Sequence, residues 1–267
     1  MKGPFPIICR GHSGGRLLAE AFYQNGFWMG VTNEKTKDDM EFSQRISVVR
    51  ELAYDGFRYP NMRPAEQERV RQKMRALVET SKNHCPNPAD YVAFGWKRAV
   101  TTFMVEITMD AYPQAKVVHL IRDGRDTMLS RLDSRMRKLD DPGNRLMIFG
   151  DEHISHYRGR PLTREVVEEY RNEIEMHHWA TAVRFGMRGR KYEGRYMEVL
   201  YEDLCSRPAE TLGSVFEFLE VPYRPQAREW VVANASAARM GKWKSNHEEL
   251  KEAIAIGAPL LQELGYV

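Results

Sequence analysis

Hydrophobic positions along this chain follow two periods. Short apolar runs stand at Pro6–Cys9, at Phe27–Gly30, just before Trp96 and at Val117–Ile121. In the last, Val117, Val118, Leu120 and Ile121 predict a strand buried on both faces. Between these runs apolar residues recur at helical spacing. Examples are Leu17, Leu18, Ala21 and Phe22, a mainly helical stretch from Glu41 to Ser81 broken around Pro60 and Pro64, and Thr101 to Ala111. Met128, Leu129, Leu132 and Met136 continue the pattern, as does a long stretch from Arg164 to Arg188 in which Trp179 is expected to pack inside. Strands that alternate with helices predict an α/β fold: a mostly parallel central sheet flanked by helices, with ligands outside the carboxyl ends of the strands. Residues 139–162, with Pro142, Gly143, Gly150, Gly159 and Pro161, read as a long irregular insert and a candidate lid or binding loop.

Composition narrows the class. A chain of 267 residues that is 42% hydrophobic can bury a proper core, and a single domain over 1–267 is expected. Forty Lys and Arg against 37 Asp and Glu leave a net charge of +3, spread evenly, which suits a local anion site and not a nucleic-acid partner. No apolar run is long enough to span a bilayer, and the amino terminus enters a strand at once, so a cytoplasmic chain without a transmembrane segment is expected. The three cysteines, Cys9, Cys85 and Cys205, are far apart and lack metal-ligand spacing. Neither a disulfide framework nor a metal site follows, and Cys9 reads as a small core residue.

Two strand-to-helix junctions carry the candidate chemistry. After Ile7, Ile8 and Cys9 comes RGHSGGR, Arg10 to Arg16, and then the helical pattern from Leu17. Glycines at 11, 14 and 15 let backbone N–H groups turn inward, and the following helix directs its positive end at the loop, so the expected occupant is an anion. Walker A spacing fails here, because Arg16 stands five places after Gly11 and no suitable Lys or Ser/Thr follows. At the second junction, AKVVHLIRDGRDTMLS places Arg122 at a strand end and Ser130 in an early helical turn, an outline for a phosphate held by both.

Together these segments resemble the sulfotransferases that use 3′-phosphoadenosine 5′-phosphosulfate (PAPS). RGHSGGRLL, Arg10 to Leu18, is similar to their loop for the 5′-phosphosulfate, and IRDGRDTMLS to their 3′-phosphate motif, with Arg122 and Ser130 at the two ligand positions. YEDLCSRPAETLGSVFEFLEVPY, beginning at Tyr201, resembles the family's segment near the adenine; MGKWKSNHEEL resembles its late basic loop, with Lys242 and Trp243 as nucleotide contacts. The resemblance implies a P-loop-like nucleotide-binding architecture, PAPS as donor and adenosine 3′,5′-bisphosphate as product. It also implies donor contacts from Arg10, Gly11, His12, Ser13, Gly14, Gly15, Arg16 and Leu17. The loop departs from the family pattern: His12 replaces the usual cation and Arg16 a threonine. Lys97, in FGWKRAVT, resembles a family lysine near the sulfate and is the candidate to supply the missing charge.

Sulfuryl transfer asks for positioned cations and N–H dipoles around the leaving oxygen and, by this reasoning, for no metal. His12 and Lys97 are the catalytic candidates; His12 can accept a proton or stabilise the leaving oxygen, and His84 is a further candidate base. Asp38 and Asp39 are also candidate bases, but ahead of the helical pattern at Glu41 they are expected to act as caps or favourable dipole charges. Arg131, Arg135, Arg137 and Lys138 read as a solvated helix face. The resemblance implies a small-molecule, lipid or carbohydrate acceptor, which the loops do not specify further. Two rivals stay open: a P-loop-type nucleotide kinase or hydrolase, and a catalytically silent nucleotide-binding module.

Overall fold

The structure, a computed structural model, describes residues 1–129 and 139–266. In chain order the first elements are β1 (Ile7–Cys9), α1 (Gly15–Gln24), β2 (Phe27–Trp28), α2 (Met40–Gln44), α3 (Ile46–Arg58), α4 (Pro64–Asn83), β3 (Ala93–Phe94), α5 (Val105–Ala111) and β4 (Val117–Ile121). There follow α6 (Gly124–Met128), α7 (Pro142–Phe149), β5 (His156–Tyr157), β6 (Arg160–Pro161), α8 (Arg164–Glu169) and α9 (Arg171–Met187). The chain ends with β7 (Tyr196–Leu200), α10 (Tyr201–Ser206), α11 (Pro208–Phe218), α12 (Pro225–Asn234) and α13 (Lys251–Glu263). Two compact units emerge: residues 1–121 with 185–237, and residues 122–184 with 238–267.

The first unit holds the sheet. β1 pairs in parallel with β4, and β4 with β7. On the other side of β1, Phe5 N donates to Phe94 O and Ile7 N to Trp96 O, both at 2.9 Å, and β3 pairs in parallel with β2. The order is therefore β2-β3-β1-β4-β7, all parallel, as the alternating pattern predicts. All five residues of β4 are buried, which is why its four apolar members do not alternate with exposed polar ones and why its histidine, His119, lies inside. Helices cover the sheet through aromatic contacts: Phe22 of α1 meets Phe27 at 4.7 Å and Phe216 of α11 at 5.4 Å. Because β1 and β3 run in the same direction, Arg10 and Lys97 emerge on one edge.

The second unit corrects one expectation. Residues 139–162 are not irregular: they contain α7 and the β5–β6 hairpin. Asp141 caps α7 by accepting from Gly143 N at 2.9 Å, Pro142 fits its first turn, and Gly150 closes it at φ 74°. Ile148 and Tyr157 then pack with Val166, Val167 and Ile174, so the segment builds core. The helical repeat expected to run through Leu132 and Met136 falls on residues 130–138 and lies outside the described residues.

Candidate functional site

In the first unit the corner after β1 is a tight loop whose buried members are Arg10 and Ser13. Arg10 Nη1 donates to Gly11 O at 2.7 Å, and Ser13 N to Arg10 O at 3.2 Å. His12 takes a left-handed φ of 69°, and its side chain is exposed. Gly14 caps α1 at φ 87° without a side-chain hydrogen bond, so the head of the helix keeps the donor character of its first-turn N–H groups. A Cβ on Gly14 would enter the ring of Tyr201, which backs the loop from the end of β7. A Cβ on Gly15 would lie 2.7 Å from Cys9 Sγ and 2.9 Å from Lys97 Cε. The two glycines thus let an aromatic ring and a lysine stem approach the loop backbone.

Lys97 is 8% exposed, and its Nζ donates to Asp38 Oδ1 at 2.8 Å and to Thr36 O at 2.9 Å. Arg98 Nη1 reaches Asp38 Oδ2 at 2.9 Å. Arg16, exposed, donates to Lys35 O at 3.3 Å, and Leu17 N closes the first turn of α1 onto Gly14 O. Asp39 caps α2 through Glu41 N, as the sequence suggests, and takes the Ser81 hydroxyl on its other oxygen. Burial pushes its carboxyl up to about 6, against these hydrogen bonds. Asp38 is no cap; it is the counter-charge of two cations. His84 ends α4 with Nδ1 3.5 Å from Glu41 Oε1. Burial pushes the Cys9 thiol up to about 11 although Lys97 opposes it, which suits a core residue.

The second unit begins with the other corner. Arg122 is 8% exposed; Nη2 donates to Arg239 O at 2.5 Å and lies 3.8 Å from Asp126 Oδ2. Trp179, fully buried as expected, donates from Nε1 to Arg122 O at 2.9 Å. Asp123 caps α6 through Arg125 N and also pairs with the Arg125 guanidinium. That guanidinium lies 3.9 Å from the Trp243 ring centroid, a cation–π contact. Asp126 accepts from Gly241 N at 2.7 Å and Trp243 N at 3.2 Å, which docks the late basic loop onto α6. Lys242 is exposed. Ser130 and the basic residues Arg131, Arg135, Arg137 and Lys138 lie outside the described residues.

Within the first unit, then, Arg10, Gly14, Gly15, Lys97 and Tyr201 come together, with His12 and Arg16 on the exposed side. Within the second, Arg122 and Trp243 meet through Asp126. Asp126 stands four residues after Arg122 in IRDGRD, where an ion pair of Arg122 with Asp123 or Asp126 is the alternative to a phosphate ligand, and it is Asp126 that lies 3.8 Å from the guanidinium. Asp38 carried no local signal for its partner, 59 residues away. Among the described residues no group of three or more His, Cys, Asp or Glu could hold a metal ion, and no helix is long and apolar enough to cross a membrane.

A parallel sheet with anion-seeking corners defines a class that comparison with known proteins makes definite. The chain belongs to the Sulfotransferase family, whose profile matches residues 29–225, a range that includes Lys97, Arg122 and Tyr201. It is similar to carbohydrate sulfotransferase 3 of Mus musculus, 27% identical over 138 residues that make up 51% of this chain and 27% of that protein. The Homo sapiens protein of the same name is 27% identical over 147 residues, 52% of this chain and 27% of its own. The chain spans about a quarter of the length of these relatives. Sulfotransferase STF1 from Mycobacterium tuberculosis has the same fold, with a TM-score of 0.53 and 14% identity over 97% of this chain and 77% of that one. STF9 from Mycobacterium avium gives 0.50 and 12%, covering 98% and 76%.

Proposed function

We propose that this protein transfers a sulfuryl group from PAPS to a hydroxyl or amine of an acceptor, in line and without a metal, and that the acceptor is a carbohydrate. Support for the donor comes above all from the Lys97 stem lying across Gly15 at the head of α1, which sets a cation beside a bundle of N–H dipoles. Similarity to carbohydrate sulfotransferase 3 supports the acceptor class. Bound PAPS would supply an activated sulfuryl on a phosphate leaving group. In this scheme Arg10, Gly11, Ser13, Gly14, Gly15, Arg16 and Leu17 hold the 5′-phosphosulfate through backbone N–H groups, a hydroxyl and guanidinium charge. Arg122 and Ser130 hold the 3′-phosphate, with Lys242 and Trp243 as the late clamp. Tyr201 braces Gly14 on the nucleotide side.

Lys97 stabilises the negative charge that gathers on the bridging oxygen as the bond from sulfur to that oxygen breaks. His12 takes the proton from the acceptor as its oxygen or nitrogen bonds to sulfur; its exposed imidazole suits contact with an incoming substrate. A cytoplasmic setting belongs to the same proposal and is supported by three buried, unpaired cysteines.

The test is transfer of labelled sulfate from PAPS to a panel of saccharides in EDTA, with calorimetry of adenosine 3′,5′-bisphosphate alongside. Turnover without added metal, lost in Lys97→Met and His12→Ala, is expected. Activity that needs Mg²⁺ and ATP would hand the site to a nucleotide kinase or hydrolase. Tight nucleotide binding with no acceptor sulfated would mark a silent binding module.

A further inference from the structure

One carboxylate stands behind the cations of the first corner. Asp38 gives one oxygen to Lys97 Nζ and the other to Arg98 Nη1. Its side chain is 16% exposed and that of Lys97 10%, so both charges are largely withdrawn from water. Asp38 ends a strap over residues 31–39 that is pinned at several points. Asn33 N donates to Asp38 O at 2.9 Å, Met40 N to Val31 O at 2.8 Å, and Lys37 pairs with Glu20 of α1 at 2.9 Å. Next to Asp38, Asp39 N donates to Lys97 O at 3.1 Å, so strap and lysine are joined through main chain and side chain alike. Thr36 O fills a second hydrogen bond of the ammonium.

A lysine ammonium is a point charge on a flexible stem, and unless it is held its rotamer freedom blurs its place. Gly15 gives the stem a surface to lie on, and Asp38 fixes its end. The electrostatic consequence is separate: among Lys97, Arg98 and Asp38, two cations and one anion leave one net positive charge, added to that of Arg10 at the same corner.

We propose that Asp38 is a positioning residue of the sulfuryl-transfer site: it holds the Lys97 ammonium in place and lowers the corner's positive charge, so that the desulfated nucleotide can leave. This rests on the function proposed above. Asp38 bonds to protein cations and moves no proton in this role. Removing its charge while keeping its shape should therefore uncouple turnover from affinity. A free Lys97 places the leaving oxygen poorly, while an uncompensated Arg98 and Lys97 hold nucleotide more tightly.

Asp38→Asn is the test. We expect kcat to fall on the order of 10- to 100-fold, the range that loss of placement produces. Affinity for adenosine 3′,5′-bisphosphate should rise about three- to tenfold, as expected when a nearby negative charge is removed. Asp38→Glu should recover part of kcat, and it serves as the charge-retaining variant should Asp38→Asn misfold. In the ligand-free protein the side-chain ¹⁵N resonance of Lys97 should be sharp in the wild type and broadened in Asp38→Asn. Three results would overturn the inference: an unchanged Lys97 resonance, a weakened nucleotide affinity in Asp38→Asn, or loss of the low-pH limb of the kcat profile, which would make Asp38 the proton acceptor. If the wild type bound no adenosine 3′,5′-bisphosphate, the sulfotransferase proposal would fail on its own, while the Lys97 resonance would still report on the placement.

Discussion

Gly14→Ala probes the first corner most directly, because two separate costs can be worked from its surroundings. At φ 87° the residue sits in the left-handed region, where an L side chain costs about 1–2 kcal/mol. The new methyl would also enter the Tyr201 ring, and forcing extra volume into a packed place costs about 1–3 kcal/mol. The sum, about 2–5 kcal/mol, is a large part of the 5–15 kcal/mol that typically separates folded from unfolded chains. Urea denaturation of Gly14→Ala, Tyr201→Ala and the double variant separates the two parts. Removing the ring should relieve the crowding and leave the backbone strain, so the double variant should be about 1–3 kcal/mol more stable than the two single losses predict. Calorimetry should show adenosine 3′,5′-bisphosphate affinity falling in Gly14→Ala. A loss under about 1 kcal/mol with unchanged nucleotide affinity, or strict additivity in the cycle, would refute the picture of a loop braced by Tyr201.

Further predictions concern groups deep in each unit. His119 in β4 lies with Nδ1 2.6 Å from the Tyr196 hydroxyl, and burial pushes its imidazole down to about 4 from 6.5. The unfolded chain therefore binds the extra proton first, and stability is lost as pH falls from about 6.5 to about 4, by about 3 kcal/mol in all; His119→Gln should flatten that slope in urea titrations at pH 7 and pH 4.5. Asp39 acts with opposite sign, since its folded carboxyl, raised to about 6, holds a proton that the unfolded one releases. Asp39→Asn should therefore steepen the acid loss, and a shallower slope would contradict the assignment. Asp126→Ala strips the acceptor from Gly241 N and Trp243 N, at about 1–3 kcal/mol for each N–H left buried and unpaired, and should speed tryptic cleavage after Lys242 and Lys244; unchanged cleavage would show that the loop is held by other contacts. Trp179→Phe removes the indole donor to Arg122 O and should cost about 1 kcal/mol or more in urea, with equal stability arguing against that bond.

Periodicity made the sheet legible. The apolar residues of β4, interrupted only by the buried His119, and the helical repeats between strands point to a parallel order, because a strand covered on both faces does not alternate. Residues 139–162 are ambiguous for a related reason: Pro142 and Gly150 are common loop formers, but a proline just after Asp141 and a glycine eight residues later are also the start and stop of a short helix. At the two corners, the cations Arg10 and Lys97 of the first unit and Arg122 of the second stand out in sequence because each follows an apolar strand. Their carboxylate partners do not. Asp38 meets Lys97 only because β3 and the strap converge in space, and an aspartate just before a helix is ordinarily a cap, the role its neighbour Asp39 in fact fills.

The hidden carboxylates change what the cations mean. A buried lysine or arginine without a counter-charge is costly, so a site that waits for an anion must either leave its cations in water or balance them until the anion arrives. Under the proposed function both units take the second course, with Asp38 beside Lys97 and Arg98, Asp123 on Arg125, and Asp126 3.8 Å from Arg122. In the second unit Asp123 and Asp126 also tie down backbone, through N–H groups of α6 and of the late loop, whereas the Asp38 carboxylate holds side chains and its strap is pinned by main-chain bonds. In the second unit charge balance and loop anchoring are thus carried by the same residues. Neutralising Asp126 should therefore disturb charge balance and loop order together, and truncating Lys97, which also bonds Thr36 O and Asp38, should loosen the strap as well as lower nucleotide affinity.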